Sequence, residues 1–227
     1  AVAKRKGRKK TKSDWVPLQS TSTFVIARDQ KREESRQRRM TALIRSQLAV
    51  LQPTSETEVL TEFTATNEKR RTLAQLVRAV AKQVNIPFTV GGGIASVADV
   101  ELLLDNGADK ISVNTAAYKN PELLSQLAGR FGSQCVVLAV DTRFENGDWY
   151  VYLNGGRQRT PTLTRDWVKT AADAGAGEIL LTSMNNDGAK TGFALDITRT
   201  VSEAVSIPVI ASGGAGTMEH FAAVFDA

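Results

Sequence analysis

The feature that most constrains the fold is a repeated join. A short strand, apolar along its length, runs straight into glycines, hydroxyls or amides and then into an amphipathic helix. The joins fall at 86–93 (IPFTVGGG), 110–115 (KISVNT), 178–188 (EILLTSMNNDG) and 207–216 (IPVIASGGAG). Strands apolar on both faces are buried on both, the situation of a parallel sheet covered by helices. Short repeating units, with no Gly-x-Gly-x-x-Gly opening a first one, favour a (β/α)8 barrel over a doubly wound sheet. A barrel builds its active site from the loops after its strands, where small residues let backbone N–H groups reach an anion. Two such clusters on different strands point to a substrate with two phosphates.

The periodicity predicts helices at about Glu68–Gln83, Val97–Asp105, Pro121–Phe131, Arg165–Ala174, Leu195–Val205 and Met218–Ala227. Strands are expected at Pro87–Val90, Lys110–Val113, Cys135–Asp141, Glu178–Thr182 and Pro208–Ser212. The excursion Thr142–Thr160 reads as a hairpin turning at Gly147, with Trp149, Tyr150 and Tyr152 either stacking on a base or pinning the hairpin to the rim. Upstream, Met40, Leu43, Ile44, Leu48 and Leu51 mark a helix within 29–51, and Glu58–Thr64 alternates like a strand. Six strands are countable from Glu58 onward, so the barrel is expected to be incomplete. Its first strand is atypical, with only Thr23–Ile26 as a candidate, and its last strand is missing.

The formal net charge of +5 hides an asymmetry. Residues 1–40 carry thirteen Lys/Arg against four Asp/Glu, whereas residues 41–227 carry sixteen against twenty. Residues 1–28 are therefore expected to be a basic, solvated segment, and 29–227 the barrel domain. The basic run also suits a polyanion, but no aromatic residue interleaves with it, and nucleic acid is not the expected partner. No apolar run is long enough for a membrane span and no leader pattern opens the chain, so a cytoplasmic location is expected. The single cysteine, Cys135, agrees with a reducing compartment and reads as a buried strand residue; His220, the single histidine, reads as a helix-start residue. One histidine rules out a multi-His metal site, and no cofactor is called for.

From Thr64 onward several motifs occur in order: TATNEKRR (64–71), PFTVGGGI (87–94), GADKISVNT (107–115), FGSQC (131–135), GAGEILLTS (175–183) and ASGGAGTMEHF (211–221). Over these residues the chain resembles the cyclase subunit of imidazole glycerol phosphate synthase, a histidine-biosynthesis enzyme. The resemblance implies ammonia-dependent cyclisation of a phosphoribulosyl-formimino aminoimidazole carboxamide ribotide. Its products are imidazole glycerol phosphate and aminoimidazole carboxamide ribotide. It also implies a partner glutaminase subunit, since this chain lacks a Cys–His pair suited to that chemistry. Residues 1–60 do not match the family's first two strands: Glu62 stands where the second strand's aspartate is expected, and the general base has no match.

By this resemblance Asp141 is the general acid. The residues alone make it a candidate, since it closes an apolar strand at the rim of a dry core; a turn or capping role is the alternative. Gly93, Asn114 and Thr115 are assigned to one phosphate site. Asp187, Gly188, Gly213 and Gly214 form most of the other, with Thr182 and Ser212 lining the mouth between them. The Gly91–Gly93 and Gly213–Gly214 runs also suit plain tight turns. Lys110 and Glu178, at strand starts, match the family's charged ring at the ammonia entrance; an exposed ion pair is the alternative. Two other functions fit the chain: a catalytically inactive fragment or hybrid that only binds phosphates, and a polyanion-binding protein acting through its basic segment.

Overall fold

A computed structural model describes residues 67–84 and 86–227. The basic segment, the helix expected within 29–51, the strands expected at 23–26 and 58–64, Glu62 and the 28/29 boundary all lie outside the described residues. The described part opens with α1 (Asn67–Ala81), followed by β1 (Thr89–Gly91), α2 (Val97–Asp105), β2 (Lys110–Val113), α3 (Thr115–Lys119) and α4 (Glu122–Phe131). Next come β3 (Val136–Glu145), β4 (Asp148–Leu153), β5 (Gln158–Leu163), α5 (Thr164–Asp173), β6 (Glu178–Ser183), α6 (Leu195–Ala204), β7 (Val209–Ser212) and α7 (Met218–Phe225). The architecture is of the (β/α)8 type, with parallel neighbours in the order β1–β2–β3–β6–β7.

Alternation sorts each apolar strand onto two faces. Ile111, Val113, Leu138, Val140, Ile179 and Leu181 point outward and are essentially inaccessible. They meet Val100 and Leu103 of α2, Leu124 and Leu127 of α4, Val168 and Ala171 of α5, and Ile197 and Val201 of α6 in one contiguous core. Each such burial contributes roughly 1.5–3 kcal/mol. The opposite, lumen-side face carries Ser112 and Asn114, then Val137, Ala139 and Asp141, then Leu180 and Thr182, then Ile210 and Ser212, following the parallel register. Helix starts are locally encoded: at α2, Ser96 accepts from the Asp99 N–H at 3.3 Å while the Asp99 carboxylate accepts from the Ser96 N–H at 3.0 Å.

The hairpin differs from expectation. β3 runs four residues past Asp141, and with β4 and β5 it forms an antiparallel three-stranded extension. The cause is an edge: β2 stops pairing with β3 at Leu138, and β4 takes the same edge from Asp141 to Glu145. Asn146 (φ 51°) and Gly147 (φ 91°) make the two-residue turn, as expected of an Asn-Gly pair in a twisted hairpin. Cys135 also departs from expectation. It closes a 3-10 turn, Ser133–Cys135, before the strand and is half-buried rather than a buried strand residue. α3, five residues long, was not evident from periodicity. Among the described residues no helix is long and apolar enough to cross a membrane.

Candidate active site

The parallel register places Asp141, Thr182 and Ser212 in one row across β3, β6 and β7, all on the lumen side near the C-terminal end of the parallel pairing. Asn114 follows directly after β2 and occupies the N-cap position of α3, yet its side chain makes no cap bond. Its Nδ2 donates instead to Asp141 Oδ2 at 3.0 Å. Asp141 is held above the ordinary carboxylate value of 3.8, first because burial penalises its charged form; the Asn114 hydrogen bond opposes this, and the nearby Asp187 charge adds to it. A carboxyl whose hold on its proton is strengthened in a half-dry mouth, with one amide fixing its orientation, is suited to donate that proton.

The β6–α6 and β7–α7 loops are laced together. Ser183 Oγ donates to Asn186 Oδ1 at 2.8 Å, and Asn186 Nδ2 donates to the Gly192 carbonyl at 2.9 Å. The Gly192 N–H donates to the Gly214 carbonyl at 2.7 Å, and the Asp187 N–H to the Ser183 carbonyl at 2.9 Å. A Cβ on Gly213 would lie 3.2 Å from the Asp187 Cα, so only glycine allows this approach at ordinary spacing. Gly213 thus packs against Ser183 and Asp187, and Gly214 against Gly192 and Asn186, while the space beside Gly188, next in sequence to Asp187, is open. At the start of α7, His220 Nδ1 accepts from the Gly216 N–H at 3.0 Å and from the Thr217 N–H at 3.3 Å. His220 is the helix-start residue expected.

Across the mouth, Gly93 follows β1 with φ 68°, and Thr115 opens α3 with its Oγ1 accepting from the Asn154 N–H at 2.9 Å. That bond attaches the β4–β5 turn to the β2–α3 loop. The hairpin is also fastened where Asn185 Oδ1 accepts from the Phe144 N–H at 2.9 Å and where Trp149 Nε1 donates to Asp196 Oδ2 at 2.9 Å. Tyr152 donates to Glu145 Oε1 at 2.7 Å, a bond that raises its phenol's pKa. Trp149 therefore pins the hairpin, Tyr152 ties β4 back to β3 within it, and Tyr150 lies under the Arg159 guanidinium, 3.9 Å from its ring centroid. At the opposite end of the strands Lys110 Nζ pairs with Glu178 Oε1 across β3. The pair is not an exposed one: Glu178 is 7% accessible.

Asn185, Asn186 and Asn154 escaped the sequence reading. The Asn-Asn-Asp-Gly run was visible as a loop, but nothing local indicates which group each of these amides meets. Among the described residues no cluster of three or more His, Cys, Asp or Glu side chains could hold a metal ion.

The family described as "Histidine biosynthesis protein" matches residues 47–227. The chain is 55% identical over 163 residues to a Flavobacterium johnsoniae protein named imidazole glycerol phosphate synthase subunit HisF, covering 72% of this chain and 65% of that protein. Proteins of the same name from Cytophaga hutchinsonii (55% over 167 residues; 74% of this chain, 66% of that protein) and Streptococcus sanguinis (54% over 169 residues; 74% and 67%) are similarly related. The chain thus spans about two thirds of the length of the curated relatives it matches, slightly less for the first of them.

Proposed function

Because the chain belongs to the histidine biosynthesis protein family, we propose that it works as the cyclase subunit of imidazole glycerol phosphate synthase. It would convert a phosphoribulosyl-formimino aminoimidazole carboxamide ribotide and ammonia into imidazole glycerol phosphate and aminoimidazole carboxamide ribotide. The observation that carries this reading is the setting of Asp141: a carboxyl with raised pKa, oriented by Asn114, standing between two small-residue loop clusters. Condensation of ammonia with a ketone expels its oxygen as water, and that departure needs a proton. Asp141, whose raised pKa favours the protonated form, is placed to supply it as general acid. No described residue is assigned as the opposing base.

One phosphate is held by Gly93, Asn114 and Thr115. The other is held by Gly188, Gly213 and Gly214, with Asp187 taking sugar hydroxyls or orienting amides and Thr182 and Ser212 lining the mouth. Glycines admit close backbone approach to an anion, and the hydroxyls add donors. Lys110 and Glu178, at the far end of the strands, gate ammonia from a docked glutaminase in a cytoplasmic heterodimer. The purified chain, incubated with the ribotide and excess ammonium, should consume the substrate absorbance. Asp141→Asn should abolish turnover and keep binding. A wild-type chain that neither turns over nor binds the ribotide refutes the proposal.

A further inference from the structure

Resting on that reading, we propose that the β3–β4–β5 extension is a tie bar between the two phosphate-holding ends of the mouth, with Asn185 and Tyr118 as its positioning residues. By fixing the separation of those ends, it selects a ligand with two phosphates over one with a single phosphate. The extension lies between the two ends because β3 lies between β2 and β6. One phosphate loop follows β2 and the other follows β6, so they start two strand spacings, about 10 Å, apart along the sheet.

Toward β6 the fastening is made by Asn185. The parallel ladder ends at the Thr142–Ser183 pair, where β6 stops. Just beyond it the Met184 N–H donates to the Thr142 carbonyl at 2.9 Å. The next β3 N–H on that edge, of Phe144, has no strand to meet, and Asn185 Oδ1 accepts it at 2.9 Å. A side-chain amide thus stands where a ladder carbonyl would be. The neighbouring Asn186 donates to the Gly192 carbonyl, and the Gly192 N–H donates to the Gly214 carbonyl. The hold on Asn185 is thereby passed to a glycine assigned to one phosphate. Toward β2 the fastening falls on α3, whose start is assigned to the other. The Asn154 N–H, in the β4–β5 turn, donates to Thr115 Oγ1 at 2.9 Å, and Tyr118 shares a 2.5 Å hydrogen bond with Thr162 of β5. In accepting, the Thr115 hydroxyl keeps its own proton to donate to an anion. Once one phosphate is bound, the second binds within the same complex, and that gain is greatest when the span of the ligand matches the span of the sites. Ends free to drift lose this gain and leave each single-phosphate contact as it was.

The test is calorimetric binding without ammonia, where the two-phosphate substrate cannot react, set beside binding of each product, which carries one phosphate. Asn185→Leu and Tyr118→Phe each cut one end of the bar. Each should raise the Kd of the substrate by about tenfold and leave the Kd of both products within about twofold. The double variant should lose little more than either alone, because a bar freed at one end no longer sets the spacing. A product weakened as much as the substrate, an unchanged substrate Kd, or losses that multiply in the double variant overturns the tie bar. Thermal melts show whether Asn185→Leu loosens the hairpin. If it does, Tyr118→Phe, which keeps a ring edge-on to Trp167, carries the test. A wild-type chain that binds none of the three compounds refutes the reading itself, and the tie bar with it.

Discussion

Replacing Gly214 with alanine tests whether the two loops at one end of the mouth form a single preorganised unit. Gly214 has φ +103°, and a Cβ there would stand 2.0 Å from the Gly192 carbonyl oxygen and 2.9 Å from Asn186 Cβ. Ordinary contact begins near 3.4 Å, so one loop must withdraw by about 1.4 Å. The withdrawal breaks the 2.7 Å bond from the Gly192 N–H to the Gly214 carbonyl. It also disturbs the Asn186 amide that holds the same Gly192. Backbone strain of about 1–3 kcal/mol and one lost hydrogen bond of about 1 kcal/mol give a loss of roughly 2–4 kcal/mol. For a chain of this size that lowers Tm by roughly 5–15 °C. Gly188→Ala is the internal control: its φ is +73° with nothing within 4 Å of the added Cβ, so it suffers conformational strain alone. Strain of about 1–2 kcal/mol should lower its Tm by only a few degrees. Misplacing reacting or binding groups by about 1 Å costs up to 100-fold, so KM for the ribotide should rise far more in Gly214→Ala than in Gly188→Ala. Thermal melts and steady-state kinetics on both variants decide the matter. Equal Tm and equal KM in the two would refute the idea that loop contact, rather than glycine conformation, organises this end.

Asn114→Leu removes a donor that favours the Asp141 anion, so the Asp141 pKa should climb further above its ordinary value. The alkaline limb of the kcat profile, measured at constant free ammonia, should move to higher pH; a limb that stays or falls contradicts the role of that bond. Because the folded protein holds the Asp141 proton more tightly than the unfolded chain does, ionisation at neutral pH opposes folding. Asp141→Asn should therefore be more stable than wild type in neutral denaturant melts. That advantage should fade as pH drops through the raised folded value to below the ordinary 3.8, where both states are protonated. Lys110→Met leaves the Glu178 carboxylate buried without its cation, and should lower stability in urea titration by about 1–3 kcal/mol once partial solvent access is allowed for. Glu178→Gln in the same background should restore part of it.

Taken alone, the sequence determined the alternation of strands and helices from Thr89 to Phe225, because each element is encoded within a few residues. The runs at Val136–Val140 and Glu178–Leu181, the Ser96–Asp99 capping pair and the Asn146-Gly147 turn act through neighbours at most four positions apart. It also placed Lys110 and Glu178 at strand starts, since those positions follow from the same local pattern, whereas Asp141, read as closing its strand, stands four residues before the end of β3. Only the tertiary structure decided how far β3 extends, because its last residues are held by an edge that β2 leaves and β4 takes. Likewise, the Asn114–Asp141 bond joins residues 27 apart and the Lys110–Glu178 pair residues 68 apart. The role of Trp149 as a fastener, with Tyr150 and Tyr152 on the opposite side, depends on which side of a three-stranded sheet faces the lumen. Register and pairing edges are properties of segments brought together by burial of the shared core, and no local preference of either partner specifies them.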